Sequence, residues 1–149
     1  MQVNFRWCKF QQLQLLELHN IFALRQQVFI VEQQSIYTDI DGLDPASWHL
    51  LLETADKVLL GYARLRADRA LGCYKFERIL LAEPARGTGL AGQLIEQLLD
   101  KAAQLREYSL LKLSAQSHLQ DFYAKWGFIA MGLEYDDGGI LHRDMQRVL

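Results

Sequence analysis

One stretch restricts this chain more than any other: Arg78-Ile-Leu-Leu-Ala-Glu-Pro-Ala-Arg86-Gly87-Thr88-Gly89-Leu90-Ala91-Gly92 passes from an apolar segment through a glycine-rich turn. Beyond the turn, Leu90, Leu94, Ile95, Leu98, Leu99 and Ala102 recur on one helical face, which predicts an amphipathic helix from about Leu90 to Leu105. Glycines let backbone approach a ligand closely, and the first amides of a helix have no intrahelical acceptor. A strand, a glycine turn and a helix N-terminus in that order make an anion-binding nest, suited to phosphate. A Walker loop needs Gly-Lys-Ser/Thr at its end, and the first lysine after the turn is Lys101. A dinucleotide fingerprint also fits poorly, because Gly87-x-Gly89 is followed by Gly92 within a single late strand–helix unit.

The remaining segments place that unit in an α/β domain. Val3, Phe5 and Trp7 alternate with polar residues as in a half-covered strand, and Leu13 to Val31 has helical spacing through Leu13, Leu16, Ile21, Leu24, Val28 and Val31. One long helix or two consecutive ones would fit there. Gln33 to Ser47 carries Asp39, Asp41, Gly42, Asp44 and Pro45 and reads as an ordered loop. Trp48–Thr54 and Val58–Arg66 form a predicted hairpin, and Tyr74–Ala82 the next strand. Leu110–Ala115 is mostly apolar, hence expected in the middle of the sheet. Ser117 with Gln120 suggests a capping box opening a helix that runs to Trp126 and stops at Gly127. Phe128–Leu133 and Ile140–Val148 would close the chain as a hairpin around Asp136-Asp137-Gly138-Gly139. The order is strand, helix, three strands, helix, strand, helix, two strands, which implies a mixed sheet. At 149 residues, a single domain spanning 1–149 is expected.

Charge and cysteine usage exclude several functions. Lys plus Arg number 16 and Asp plus Glu 18, and the formal charge of −2 supplies no global field for nucleic acid or an anionic membrane. Cys8 and Cys73 are too few for a disulfide framework and lack zinc-site spacing, so a reduced, cytoplasmic protein with structural cysteines is expected. His19, His49, His118 and His142 also lack metal-ligand spacing, and counting from Asp39 the twelfth position of an EF-hand would be Leu50. No metal is therefore expected. No window reaches the roughly 18 apolar residues of a membrane span.

Arg86, Gly89 and Ala91 satisfy the pattern Arg/Gln-x-x-Gly-x-Gly/Ala, and Leu119-Gln-Asp-Phe122-Tyr123-Ala-Lys-Trp-Gly127-Phe128 supplies a Phe-Tyr-x-x-x-Gly-Phe segment. In this order the two motifs resemble the GNAT acetyltransferases. The likeness extends to the ElaA-like subgroup through Leu24-Arg25 with Val28-Phe29-Ile30-Val31-Glu32-Gln33, Tyr37-x-Asp39-x-Asp41-Gly42-x-Asp44, His49-Leu50, Ala115-Gln116-x-His118-Leu119 and Gly139-Ile140-Leu141-His142. Leu141 and the Gly138-Gly139 pair depart from the subgroup's usual final turn.

The resemblance implies a mixed, mostly antiparallel sheet flanked by helices, with acetyl-CoA as co-substrate. Arg86, Gly87, Thr88, Gly89, Leu90 and Ala91 would hold its pyrophosphate, and the Leu80 and Leu81 backbone would pair with its pantetheine. Tyr123 would protonate or hydrogen-bond the departing thiolate. An alkylammonium with a pKa near 10.4 is only about 0.1% neutral at pH 7, so a base, or a water relay to one, is expected, and Glu32, Glu77 and His118 are the candidates. Asp39, Asp41 and Asp44 are expected at the acceptor entrance, attracting a cation. The predicted reaction is direct attack by a small-molecule or peptide amine in a ternary complex. The alternative is a catalytically silent acyl-CoA sensor or interaction module, which would not need Tyr123. The resemblance is also compatible with a homodimer.

Overall fold

A computed structural model describes residues 2–149. Seven strands form one sheet in the order β1-β2-β3-β4-β5-β7-β6. They are β1 (Val3–Lys9), β2 (Trp48–Thr54), β3 (Leu59–Asp68), β4 (Cys73–Leu81), β5 (Leu110–Gln116), β6 (Ile129–Asp137) and β7 (Ile140–Val148). Only β4 and β5 pair in parallel. The parallel pair follows from the connection between them, α2 (Leu90–Leu105), since a strand–helix–strand crossover returns the chain in the same direction.

Helices cover the two faces unequally. On one face α2 buries Leu90, Leu94, Ile95, Leu98 and Ala102 against Leu50, Leu52, Ala63, Leu65, Tyr74, Phe76 and Leu111. The same cluster includes Tyr123 of the short α3 (Gln120–Ala124). On the other face α1 (Leu15–Arg25) and the π-helical segment Gln26–Glu32 set Ile21 and Val28 against Leu51, Tyr62 and Leu80. This double cover explains the unbroken apolar run in β2, where Leu50 and Leu52 serve one core and Leu51 the other.

Several expectations required correction. The stretch predicted to be helical changes to π winding after Arg25, which shifts the residues that follow around the axis. In that segment Val28 is buried and Val31 of the predicted apolar face is exposed; Leu16, near the start of α1, is exposed as well. β5 is flanked by strands on both sides, but only Leu111, Leu113 and Ala115 are buried, so it alternates instead of being covered on both faces. The Ser117–Gln120 capping box is absent: a 3₁₀ turn, Ser117–Leu119, precedes α3, and Ser117 Oγ is buried without a partner. β6 continues past Leu133 to Asp137, bridging an irregularity between Met131 and Tyr135 where Gly132 has a φ of 78°.

Candidate functional site

The β4–β5 pairing ends early. Register runs from Cys73↔Leu110 to Phe76↔Leu113, and beyond it the two strands do not pair with each other. A β-bulge lies just past that point. Tyr62 pairs with Leu80 and Arg64 with Glu77, leaving Arg78 and Ile79 opposite Ala63, and Arg78 takes a φ of +55°. A non-glycine residue with positive φ at a bulge is a strained element that the surrounding sheet holds in place. The splay opens a cleft of about 640 Å³ between the C-terminal halves of the two strands.

Glu32, Glu77, Leu80, Leu81, Arg86, Ala91, His118 and Tyr123 all line this cleft, although they come from six separate parts of the chain. One edge of β4 at Leu80 and Leu81 pairs with Tyr62 and Gly61 of β3, so the edge toward β5 has no strand partner. Arg86 Nε and Nη2 donate to the Leu81 carbonyl at 3.1 and 3.0 Å.

At the mouth, Gly87 and Gly89 have φ values of 73° and 81°, a region that L-residues rarely adopt, and a Cβ on either would meet nothing within 4 Å. The turn therefore needs glycine for its backbone conformation and leaves open space above it. Gly89 is the residue immediately before α2, whose opening amides and dipole favour an anion there. Thr88 Oγ1 donates to the Ala85 carbonyl at 2.5 Å and braces the turn. Gly92 has another role: a Cβ there would lie 2.9 Å from Trp126, so it allows the indole to approach α2 closely. The residues at this mouth fit a pyrophosphate: a guanidinium, an open glycine turn and a helix N-terminus.

Arg86 is also paired with one of the candidate bases, since its Nη2 donates to Glu32 Oε1 at 2.7 Å. Glu77 accepts from Arg66 Nε at 2.9 Å and from Arg64 Nη2 at 3.1 Å. Burial pushes the Glu77 carboxyl up, but these guanidinium partners win and hold it below its ordinary range. A carboxylate so held is a weak proton acceptor. Tyr123 is 7% exposed, lies edge-to-face with Phe122 and Phe128, and burial pushes its phenol up to about 12. It is therefore protonated and available as a donor at neutral pH.

The aspartates of the acidic loop lie off the cleft wall. Asp39 and Asp44 are 6% and 2% exposed and are not part of the cleft wall. Arg25 Nε donates to Asp39 at 2.9 Å and Arg25 Nη1 to Asp44 at 2.7 Å, while Arg64 donates to both Asp41 and Asp44. Arg78 lies 2.9 Å from Asp39 and donates to Asp41. The expectation of a cation-attracting entrance is corrected: these carboxylates are neutralised by three arginines and anchor the loop to α1, β3 and the bulge. Arg25, Arg64 and Arg78 gave no sequence signal of this role, because the pairing depends on contacts up to 39 positions apart.

Sequence reasoning also missed the elements that roof the cleft. Gln116 Nε2 donates to Gln33 Oε1 at 2.9 Å, and Ser35 Oγ donates to the Gly138 carbonyl at 2.7 Å, tying the segment after the π-helix to β5 and to the β6–β7 turn. A Cβ at Gly138 would collide with Ser35 Oγ, which gives the first glycine of the Gly138-Gly139 pair a steric reason. His142 also lines the cleft.

A sheet splayed at a parallel pair, with a phosphate-type turn at one end and a buried phenol inside, defines the chain as an N-acyltransferase of the acyl-CoA-dependent fold. It belongs to the GNAT acetyltransferase family, which it matches over residues 15–149, in the ElaA-like branch. A UPF0039 protein of Synechocystis sp. is 42% identical over 148 residues, covering 97% of this chain and 95% of its own. The crystal structure of Escherichia coli ElaA superposes with a TM-score of 0.90 at 32% identity, covering 98% of this chain and 99% of that one. An acyl-CoA N-acyltransferase from Pseudomonas aeruginosa superposes with a TM-score of 0.92 at 36% identity, covering 99% and 100%. Among the described residues no helix is long and apolar enough to cross a membrane.

Proposed function

We propose that the chain is an acetyl-CoA-dependent N-acetyltransferase in which a primary amine attacks the thioester directly within a ternary complex. The observation that carries this reading is the Tyr123 hydroxyl inside a cleft that also presents the free edge of β4 and ends at Arg86 and the Gly87–Gly89 turn. The co-substrate supplies the activated acetyl group. Arg86 and the opening amides of α2 bind its pyrophosphate, and the Leu80–Leu81 edge orients its pantetheine. Tyr123 stabilises the sulfur as the C–S bond breaks. With its phenol at about 12 and a thiol near 8.5, complete proton transfer is uphill by roughly 5 kcal/mol, so hydrogen bonding is the useful contribution.

Neither cysteine suits an acyl-enzyme route, because Cys8 and Cys73 are buried and burial raises both thiols. Calorimetric titration with coenzyme A, paired with thiol release from acetyl-CoA across a panel of primary amines and lysyl peptides, tests the reading. Binding and amine-dependent release are expected. Binding without release on any amine would leave a silent acyl-CoA module.

A further inference from the structure

A base that deprotonates the acceptor needs a free lone pair, and among the groups lining the cleft the geometry points to His142, whose ring is fixed by a hydrogen bond and a stacking partner. This assignment rests on the transferase reading above. Glu32 and Glu77 line the cleft but are occupied by Arg86 and by Arg64 with Arg66, respectively. His142 Nδ1 lies 2.7 Å from the Ile140 carbonyl oxygen. A carbonyl only accepts, so Nδ1 carries the proton, and in the neutral ring Nε2 holds the lone pair. Among the described residues no hydrogen bond involves Nε2.

The ring is held in place as well as poised. It stacks on Tyr135, with centroids 6.1 Å apart and planes at 21°. The Tyr135 hydroxyl is itself fixed, donating to Asp144 Oδ1 at 2.6 Å and contacting Ser114 Oγ. His142 pairs in register with Gln116, which carries the Gln33 bridge across the cleft. The imidazole thus stands on the β7 wall of the cleft, next to the roof under which an acceptor would enter.

In the reaction, the alkylammonium loses one proton to His142 Nε2, and the freed nitrogen lone pair forms the C–N bond to the acetyl carbon. The C–S bond breaks toward sulfur, which Tyr123 stabilises. The second proton lost by nitrogen ends on sulfur, giving the thiol and the acetamide, and the imidazolium returns its proton to water. Charge and atoms balance: one ammonium and one thioester give one amide, one thiol and one released proton.

The test compares His142→Asn with wild type on two acceptors at pH 7. Asn keeps a donor for the Ile140 carbonyl but offers no basic nitrogen. The first acceptor is the best amine from the panel, and the second is its aminooxy analogue, which is neutral at that pH and needs no deprotonation. His142→Asn is expected to lower kcat/KM on the amine by about 10²- to 10³-fold and on the aminooxy analogue by less than about threefold, with unchanged coenzyme A affinity. An equal loss on both acceptors would assign His142 to structure and overturn the proposal. A larger amine-selective loss in His118→Asn, the other imidazole of the cleft, would also overturn it. Wild type that turns over neither acceptor would bring down the transferase reading itself, and the base with it.

Discussion

Tyr123 and Arg86 each combine a contact within the protein with the role proposed for them in the cleft. The Tyr123 ring contributes packing to Phe122 and Phe128, and its hydroxyl contributes only to the cleft. Tyr123→Phe should therefore leave coenzyme A affinity and fold intact while lowering the chemical rate by about 10²-fold, the lower end of general-acid effects. Rapid-quench measurement of a single turnover checks this, and a wild-type rate would return Tyr123 to the core alone. On the proposed reading, Arg86 exchanges its bond to Glu32 for one to phosphate when the coenzyme binds. Arg86→Ala should weaken coenzyme A by about 10- to 100-fold, the worth of a charge-assisted bond. Glu32→Gln, by removing the competing carboxylate from a half-exposed pair, should tighten coenzyme A by up to about fivefold. A weaker Kd in the Gln variant would show that Glu32 supports binding and does not compete with it.

The strand–turn–helix element depends on backbone conformation more than on side chains. Gly89 precedes α2 with a φ of 81°, and the left-handed region costs an L-residue about 1–2 kcal/mol, more for a β-branched one. In Gly89→Val the turn should relax away from that conformation and carry the first helical amides with it. Coenzyme A affinity is expected to fall at least about tenfold with the helical circular dichroism preserved, because α2 is held by Leu94, Ile95 and Leu98. Retained affinity in the Val variant would remove the turn from the phosphate site. At the other end of the cleft, the bulge at Arg78 is stabilised by ion pairs from the loop at Asp39 and Asp41. The acidic loop thus acts on the site indirectly, by supporting the strand edge that lines it.

Across the whole molecule, the buried arginine–carboxylate network joins the first helix, the loop and the central strands, and it makes stability depend on pH. Burial raises the Asp44 carboxyl, but hydrogen bonds from Arg25 and the nearby Arg64 hold it below its ordinary 3.8; Asp41 is lowered in the same way, with Arg64 the chief partner. His49 is lowered from 6.5 mainly by burial, and its two ring nitrogens lie 2.6 Å from the Tyr62 hydroxyl and 2.9 Å from the Asp44 carbonyl. In each case the unfolded chain binds more protons than the folded one below the ordinary pKa, so stability falls as pH falls. Thermal unfolding should show a constant Tm between about pH 7 and 8, a shallow decline from about 6.5 as His49 is linked, and a steeper one below about 4 as the carboxylates are lost; above about 8.5 the raised thiols and phenols lower it again. Asp44→Asn should cost about 3–5 kcal/mol at neutral pH, because Arg25 and Arg64 remain buried with less counter-charge. The sequence by itself determined the order of strands and helices along the chain, the helix after the glycine turn and the residues of both motifs. These are encoded within a few positions of one another, by hydrophobic period, by glycine and by motif spacing. It did not determine that Asp39 and Asp44 would turn inward, that the first helix would change to π winding, or that His142 would meet the cleft. Each of those outcomes depends on partners far apart in the chain, which only the packed sheet brings together.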